Sequence, residues 1–195
     1  MPHKIAIKFT ILSLLYLFTL YGCKKQKPSN PIDQLPPATD TGANTFGCLV
    51  NGQAVIIHKP FGDLSPDFGC EYQLIYHTVT GYSFNVHALD EVDGCHIKGV
   101  AIGLDSIQLQ EATYLLNTPF VNYGRHGLVN IANGCPPSPL LMYATDSAVT
   151  GQVTITHFDQ QKQIVSGTFY FDAVETTTGD TVHVTDGRFD MIYTQ

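Results

Sequence analysis

The chain has 195 residues, with 17 acidic and 10 basic side chains, and its formal net charge is −7. The imbalance is concentrated after residue 43, where fifteen acidic residues stand against five basic ones. A domain of that charge repels phosphate backbones, so the composition argues against nucleic acid as a partner. Residues 44–195 have the length of one domain, which is enough for a sizeable hydrophobic core.

Residues 1–22 have the pattern of a secretory signal peptide. Lys4 and Lys8 precede an apolar run over residues 9–20, which is too short to cross a hydrocarbon core as a helix, since that takes roughly 20 residues. The run ends in Leu20-Tyr21-Gly22-Cys23, which resembles the lipobox of bacterial lipoproteins. In that family the chain is cut before the cysteine, which is then acylated. The resemblance implies that Cys23 is the first mature residue and carries the lipid anchor.

Residues 23–43 predict a flexible tether between the lipid and the domain. They hold four prolines and few apolar side chains, so they cannot bury enough surface to offset the entropy of ordering. Lys24, Lys25 and Lys27 suit anionic headgroups beside the lipid, or simply belong to a solvated start of the tether. Experience with lipoproteins, in which acidic residues after the cysteine mark surface export, favours the periplasmic face of the outer membrane. The expected partner is therefore the membrane, through the N-terminal lipid.

From residue 44 onward the sequence predicts an all-β domain. Short β-branched and aromatic runs are separated by Gly, Asn, Asp and Pro, and no window keeps a helical period. Asn51-Gly52, between runs at residues 46–50 and 54–58, predicts a tight hairpin. Residues 97–104 and 112–117 predict further strands, whereas the Gly- and Pro-rich stretch at residues 119–139 predicts long loops.

A second hairpin is predicted around Thr80-Gly81, between strands at residues 71–79 and 82–89. If these two residues form the whole loop, Ile75 lies opposite Val86, and both point to one face of the hairpin.

The last 45 residues show the clearest strand pattern. Residues 152–157 and 164–174 alternate apolar and polar side chains and predict an antiparallel pair. In the closing strand the apolar positions change parity across Asp186-Gly187, which predicts a β-bulge with a left-handed glycine. About ten strands are expected in all, arranged as an antiparallel β-sandwich or a flattened β-barrel.

Four cysteines remain after Cys23, which predicts two disulfides in an exported chain. They are Cys48, Cys70, Cys95 and Cys135, and they lack the close pairs of a structural zinc site. Four cysteines allow three pairings. The Thr80-Gly81 register brings Cys70 near Cys95, which favours that pair and leaves Cys48 for Cys135.

The sequence predicts neither a metal site nor another cofactor, and no catalytic residues. His77 and His87 point to opposite faces of the predicted hairpin, so they cannot share an ion. Residues 90–94 lack the longer acidic spacing of an EF-hand, which favours a solvated turn. The motifs G-x-S-x-G, H-E-x-x-H and the P-loop are missing, and Ser166 has no base beside it in the sequence.

The two ends of the domain resemble a known family. The opening TGANTFGCLVNG at residues 41–52, with IVSGTF at residues 164–169 and TDGRFD at residues 185–190, is similar to a family of small Bacteroidota lipoproteins that carry a β-rich domain of unknown function. The resemblance implies an exported lipoprotein and transfers no catalytic residues. Three Asp-Ser/Thr-apolar triplets also resemble the O-glycosylation pattern of that phylum, although ordinary turn chemistry explains them equally well. Their acceptors are Ser106, Ser147 and Thr181.

Together these features predict a lipid-anchored cell-envelope protein with a non-catalytic binding or structural role and a protein or glycan ligand. The alternative is an envelope hydrolase that acts on glycans or peptides. The chain has no Trp, which disfavours a carbohydrate platform, but its 10 tyrosines leave room for one.

Overall fold

The computed structural model describes residues 29–58, 67–76, 80–92, 95–120, 124–136 and 138–195. Within these ranges the chain forms eleven strands, preceded by a 3-10 turn at Pro31–Gln34. The strands are β1 (Thr45–Val50), β2 (Gln53–His58), β3 (Phe68–Tyr76), β4 (Thr80–Val92), β5 (His96–Leu104), β6 (Thr113–Leu116), β7 (Arg125–Asn133), β8 (Leu141–Ala144), β9 (Gly151–Asp159), β10 (Ile164–Val174) and β11 (Thr181–Ile192). Among the described residues no helix has the length and apolarity that a membrane span requires. The predicted signal peptide and Cys23 lie outside these ranges.

The strands pair antiparallel in one sheet that nearly closes on itself. Its order is β2-β1-β11-β10-β8-β7-β5-β4-β3, with β9 added to β10 and β6 added to β9. At the β3 end, the N–H of Tyr72 donates to the carbonyl of Thr194, and the N–H of Thr194 donates to the carbonyl of Cys70, both at 2.9 Å. These bonds join β3 to the chain just after β11. The all-β prediction is therefore confirmed, in its barrel-like form.

The inward faces of the strands meet in one hydrophobic core. Alternation puts residues two apart on the same face, as predicted for β9 and β10. The rings of Phe46, Phe169 and Phe189 pack together in this core, with centroids 5.3 Å apart for the first two and 6.3 Å apart for the last two. Each buried aromatic or large aliphatic side chain stabilises the fold by about 1.5–3 kcal/mol relative to exposure.

The opening hairpin is confirmed. Asn51 and Gly52 join β1 to β2 with φ values of 49° and 74°. Left-handed conformations at both loop residues are those of a type I′ turn, whose twist matches the flanking strands.

The predicted bulge in β11 is confirmed, but the left-handed residue is Asp186, with φ of 55°, and not Gly187. Opposite the bulge, the register shifts so that only Cys48 of β1 faces these two residues. Position 187 requires glycine because there is no room for a side chain, and not because of its backbone conformation. A Cβ on Gly187 would lie 2.4 Å from two ring carbons of Phe169.

The second hairpin forms, but its predicted register is wrong. Tyr76 pairs with Thr80, so three residues separate β3 from β4, and Val86 lies opposite Cys70 instead of Ile75. The observed register differs from the predicted one by an odd number of residues, so the other face of β3 points into the core. Phe68, Cys70 and Tyr72 lie on that face and are buried. The larger apolar face of β3 thus decides the register, while a Thr-Gly pair does not force a two-residue loop. His77 lies outside the described residues.

Both predicted disulfide pairings are wrong, since the structure joins Cys95 to Cys135, with Cα atoms 4.2 Å apart. The cause is β7, which lies in the stretch predicted as loops and pairs His96 of β5 with Asn133. This antiparallel pairing brings both half-cystines to one end of the two strands.

Cys48 and Cys70 are buried and form no disulfide. Burial raises the pKa of the Cys48 thiol to about 12. Burial, and secondarily the nearby Glu71, raise the pKa of Cys70 well above its usual value. Both side chains therefore behave as small, unreactive core residues.

The predicted tether is shorter than residues 23–43, because its last part packs on the barrel. Leu35 is buried, and a Cβ on Gly47 would lie 2.5 Å from Cδ of Pro36. Beyond it, the chain at residues 39–43 is hydrogen-bonded to the carboxylate of Asp190 on β11, which is 1% exposed. Residues 35–43 thus belong to the folded domain.

Asp190 gathers hydrogen bonds on both of its oxygens. Oδ2 accepts from Thr39 Oγ1 at 2.6 Å and from the N–H groups of Thr41 and Ala43 at 3.0 and 3.1 Å. Oδ1 accepts from the N–H of Gly42 and from Ser166 Oγ, both at 2.8 Å. Burial alone would raise the pKa of Asp190, but these hydrogen bonds outweigh it and lower the pKa.

Candidate functional site

A groove lies where the inward face of the barrel opens at one end of β3 and β4. Tyr72 pairs with Phe84, and Leu74 pairs with Tyr82, so all four side chains point inward. Phe84 is fully buried, whereas Leu74 and Tyr82 are 39% and 37% exposed. Along both strands, inward-facing side chains two residues apart therefore change from buried in the core to exposed at the mouth of the barrel. Mouths of barrels are common ligand sites.

The groove has a volume of about 740 Å³, within the range of roughly 300–1,000 Å³ usual for small-molecule sites. Among the described residues its lining holds five glutamines, three tyrosines and two leucines, and no charged side chain. These residues are Gln73, Gln108, Gln110, Gln160, Gln195, Tyr72, Tyr82, Tyr193, Leu74 and Leu109.

An aromatic cluster supports one wall. The Tyr72 ring stacks on Tyr82 with centroids 5.0 Å apart, and it meets Phe158 and Tyr193 edge-on at 5.4 and 5.9 Å. Phe158 and Tyr193 stack on each other at 5.7 Å. Such contacts hold the rings in place, so the exposed part of Tyr82 is a fixed aromatic surface.

The opposite wall is the segment after β5, and backbone hydrogen bonds fix it. The N–H of Leu109 donates to the Tyr72 hydroxyl at 3.1 Å, and the N–H of Ile107 donates to the Tyr82 carbonyl at 3.1 Å. Gln110 exchanges two hydrogen bonds with the Tyr114 hydroxyl. The groove is therefore formed before any ligand arrives, which lowers the entropic cost of binding.

None of the described lining residues has a charged side chain, although the carboxylate of Asp159 lies close enough to Tyr193 to contribute to its raised pKa. Burial raises the pKa values of Tyr72 and Tyr193 above 10, so both hydroxyls stay protonated at physiological pH. The Tyr193 hydroxyl is buried and makes no hydrogen bond within the described part of the chain, although the Gln195 side chain lies close to it. The groove presents amides, hydroxyls and aromatic surface to a ligand, so hydrogen-bond donors and acceptors are mixed along its lining.

A second depression, of about 360 Å³, lies on the outer face of β4, β5 and β7. Ser83 Oγ donates to Asp105 Oδ1 at 2.6 Å, and the His126 ring meets Phe120 edge-on at 5.2 Å. Burial lowers the pKa of His126, although Asp105 acts in the opposite direction. Nδ1 of His126 and Oδ1 of Asn85 are buried without hydrogen-bond partners in the described ranges.

This depression holds a serine, a carboxylate and a histidine, but the serine is bonded to the carboxylate. Among the described residues Ser83 makes no hydrogen bond to His126, which is the contact that would turn the serine into a nucleophile.

None of the described residues singled out from the sequence belongs to the groove lining. Ser106, Ser147 and Thr181 are exposed, so a modifying enzyme can reach all three. The described parts of the chain contain no group of three or more His, Cys, Asp or Glu side chains that could hold a metal ion. Asp90 belongs to β4, and residues 93–94 lie outside the described ranges.

Sequence reasoning missed the groove altogether. Its lining comes from residues between 72 and 195, so no local motif marks it. The only available signal was the excess of tyrosine over tryptophan.

Residues 97–192 match the family model of a domain of unknown function (DUF6252). This segment runs from β5 to the end of β11 and so supplies the second wall of the groove but not Tyr72 and Tyr82. No curated protein and no solved structure matches the chain.

Proposed function

We propose that this protein is a lipid-anchored cell-envelope protein that binds a ligand without transforming it, and that the ligand occupies the Tyr/Gln groove. The observation that carries the proposal is the preformed mouth of the barrel, with its fixed aromatic wall and its uncharged lining. A lining of amides, phenols and leucines can hold and orient a ligand, but it offers no general base or carboxylate pair for hydrolysis.

The anchoring half of the proposal rests on the sequence. The apolar run, the lipobox-like ending at Cys23 and the proline-rich residues that follow fit a lipoprotein, and the lack of acidic residues after Cys23 favours the periplasmic face of the outer membrane. The 3-10 turn at Pro31–Gln34 already packs on β1 and β2, so a short tether would hold the barrel close to the membrane surface.

A Cys23→Ala variant tests the anchor. Multiple acyl chains hold a protein at a membrane far more tightly than one, so the variant should leave the membrane fraction. A Cys48→Ala variant, which changes a buried core cysteine, should stay there. Retention of the Cys23 variant in the membrane would refute the anchor.

Site-specific photo-crosslinking in intact envelopes tests the binding role. A photo-reactive amino acid in place of Leu74, which lines the groove and is 39% exposed, should capture an envelope component. The same amino acid in place of Tyr170, which is 52% exposed and lies outside the groove, serves as the control. No adduct at Leu74, or the same adduct at both positions, would contradict the proposal.

The second candidate is a hydrolase that acts on envelope glycans or peptides. The one observation in its favour is the depression that brings Ser83, Asp105 and His126 together. This candidate predicts that the purified protein cleaves peptidoglycan fragments and that His126→Gln abolishes the cleavage. We rank the hydrolase second because Ser83 donates its hydroxyl to Asp105, so this hydroxyl is not available as a nucleophile.

A further inference from the structure

We infer that the ligand of the Tyr/Gln groove is an uncharged saccharide. This inference rests on the proposed binding function and names the chemical class of its ligand.

The charge of the groove lining favours an uncharged ligand. The domain is strongly acidic, yet the lining residues that the structure describes include neither an acidic nor a basic side chain. A site for an anionic ligand would use Arg or Lys, and a site for a cationic ligand would use carboxylates. The described lining offers neither, and the nearby Asp159 carboxylate, which contributes to the raised pKa of Tyr193, disfavours an anion further, so a ligand without formal charge fits best.

Hydrogen-bonding chemistry is the second argument. A sugar hydroxyl both donates and accepts, and the glutamine amide does the same with its NH₂ and C=O groups. Gln108, Gln110, Gln160 and Gln195 line the groove with such amides, whereas Gln73 lies on the other face of β3 from Tyr72 and Leu74. A polyhydroxylated ligand satisfies such a surface better than an apolar one, which would leave the amides unpaired.

The aromatic wall is the third argument. The faces of a sugar ring that carry C–H groups are apolar and slightly positive, and they complement the negative face of an aromatic ring. Tyr82 is 37% exposed and is held by stacking on Tyr72, so it offers such a face in a fixed position.

A peptide is the main competing ligand, and it would bind most simply by adding a strand to the edge of β3. That edge is partly occupied, because the N–H of Tyr72 and the carbonyl of Cys70 are already bonded to Thr194. The described lining side chains are glutamines, tyrosines and leucines, and their amides and hydroxyls favour the saccharide.

Ligand-observed NMR and calorimetry on the mature domain test the inference. The probes are neutral gluco-, manno- and xylo-oligosaccharides, with an oligogalacturonate as the acidic comparator and an uncharged peptide as the macromolecular one. At least one neutral oligosaccharide should bind, and Tyr82→Ala should weaken its binding at least about tenfold, which is about 1.4 kcal/mol. Tyr170→Ala, a change to an exposed tyrosine outside the groove, should leave the affinity unchanged.

Tyr82 also packs on Tyr72, so its variant is checked for unchanged melting. Gln160→Ala provides a second test, because Gln160 is exposed in the β9–β10 turn and still lines the groove. It should weaken saccharide binding without lowering stability.

Binding of only the oligogalacturonate or the peptide would refute the inference of an uncharged saccharide ligand. Equal losses of affinity in the Tyr82 and Tyr170 variants would also refute it. The photo-crosslink at Leu74 separates the two proposals. A protein adduct there would leave the binding function in place and refute the saccharide, whereas the lack of any adduct would refute the binding function itself.

Discussion

Asp190 ties the segment before β1 to the barrel, and Asp190→Asn measures how much that connection contributes. The substitution keeps the shape of the side chain but replaces one acceptor oxygen with an NH₂ group. The least costly orientation places NH₂ where Oδ1 lies, since Ser166 can rotate its hydroxyl to accept. The N–H of Gly42 then faces another donor.

One part-buried donor without a partner costs about 1–3 kcal/mol, and the remaining bonds to Thr39, Thr41 and Ala43 lose their charge assistance. Because residues 41 and 43 are exposed and water can replace part of the loss, we expect a total of about 1–3 kcal/mol. That is a large share of a usual stability of about 5–15 kcal/mol.

Urea unfolding of the mature domain measures the effect. Asp172→Asn is the matched control, because that carboxylate is 53% exposed and bonds only to His183 among the described residues. The control should lose less than about 1 kcal/mol. A loss below about 0.5 kcal/mol for Asp190→Asn, or equal losses in both variants, would refute the reasoning.

The pH dependence gives a second readout. The folded-state pKa of Asp190 is lowered from its usual 3.8. A carboxylate with a lowered pKa contributes stability that is complete above the unfolded-state value and is lost as the pH falls through the folded-state value. The difference between wild type and Asp190→Asn should therefore be constant from pH 7 to about pH 5 and shrink below about pH 4. A difference that stays the same down to pH 2 would contradict the ionised, hydrogen-bonded carboxylate.

Replacing Cys95 and Cys135 together by Ser should destabilise the domain by up to about 4 kcal/mol for the 40-residue separation, measured by urea unfolding, and non-reducing peptide mapping should recover these two cysteines in one linked pair. Gly187→Ala should lower the free energy of unfolding by about 1–3 kcal/mol, because the new Cβ meets the ring of Phe169. Gly134→Ala, whose Cβ makes only ordinary contacts, should change it by less than about 0.5 kcal/mol, and equal effects in urea unfolding would contradict the packing. In an NMR titration the pKa of His126 should lie below 6.5 and rise on unfolding in urea, and a value above 6.5 in the folded protein would show that burial does not dominate.

The elements that local chemistry specifies were predictable from the sequence. Alternating apolar residues define β9 and β10, because a strand with one buried face needs that period. The Asn51-Gly52 turn and the change of parity at the β11 bulge are also local, since each depends on the backbone preferences or side-chain pattern of neighbouring residues.

Long-range pairing decided the rest. The register of β3 against β4 depends on which face of β3 the core accepts, and the disulfide depends on β5 pairing with β7, a partner hidden in a stretch rich in Gly and Pro. The groove depends on both, because its lining residues approach only when β3 meets the end of the chain at Thr194 and the segment after β5 folds over Tyr72. Alternation within β9 and β10 is enough to predict which side chains those strands bury. The inward face of β3 and the closure of the sheet, which brings distant residues into one mouth, arise from the summed burial and hydrogen bonding of the whole barrel.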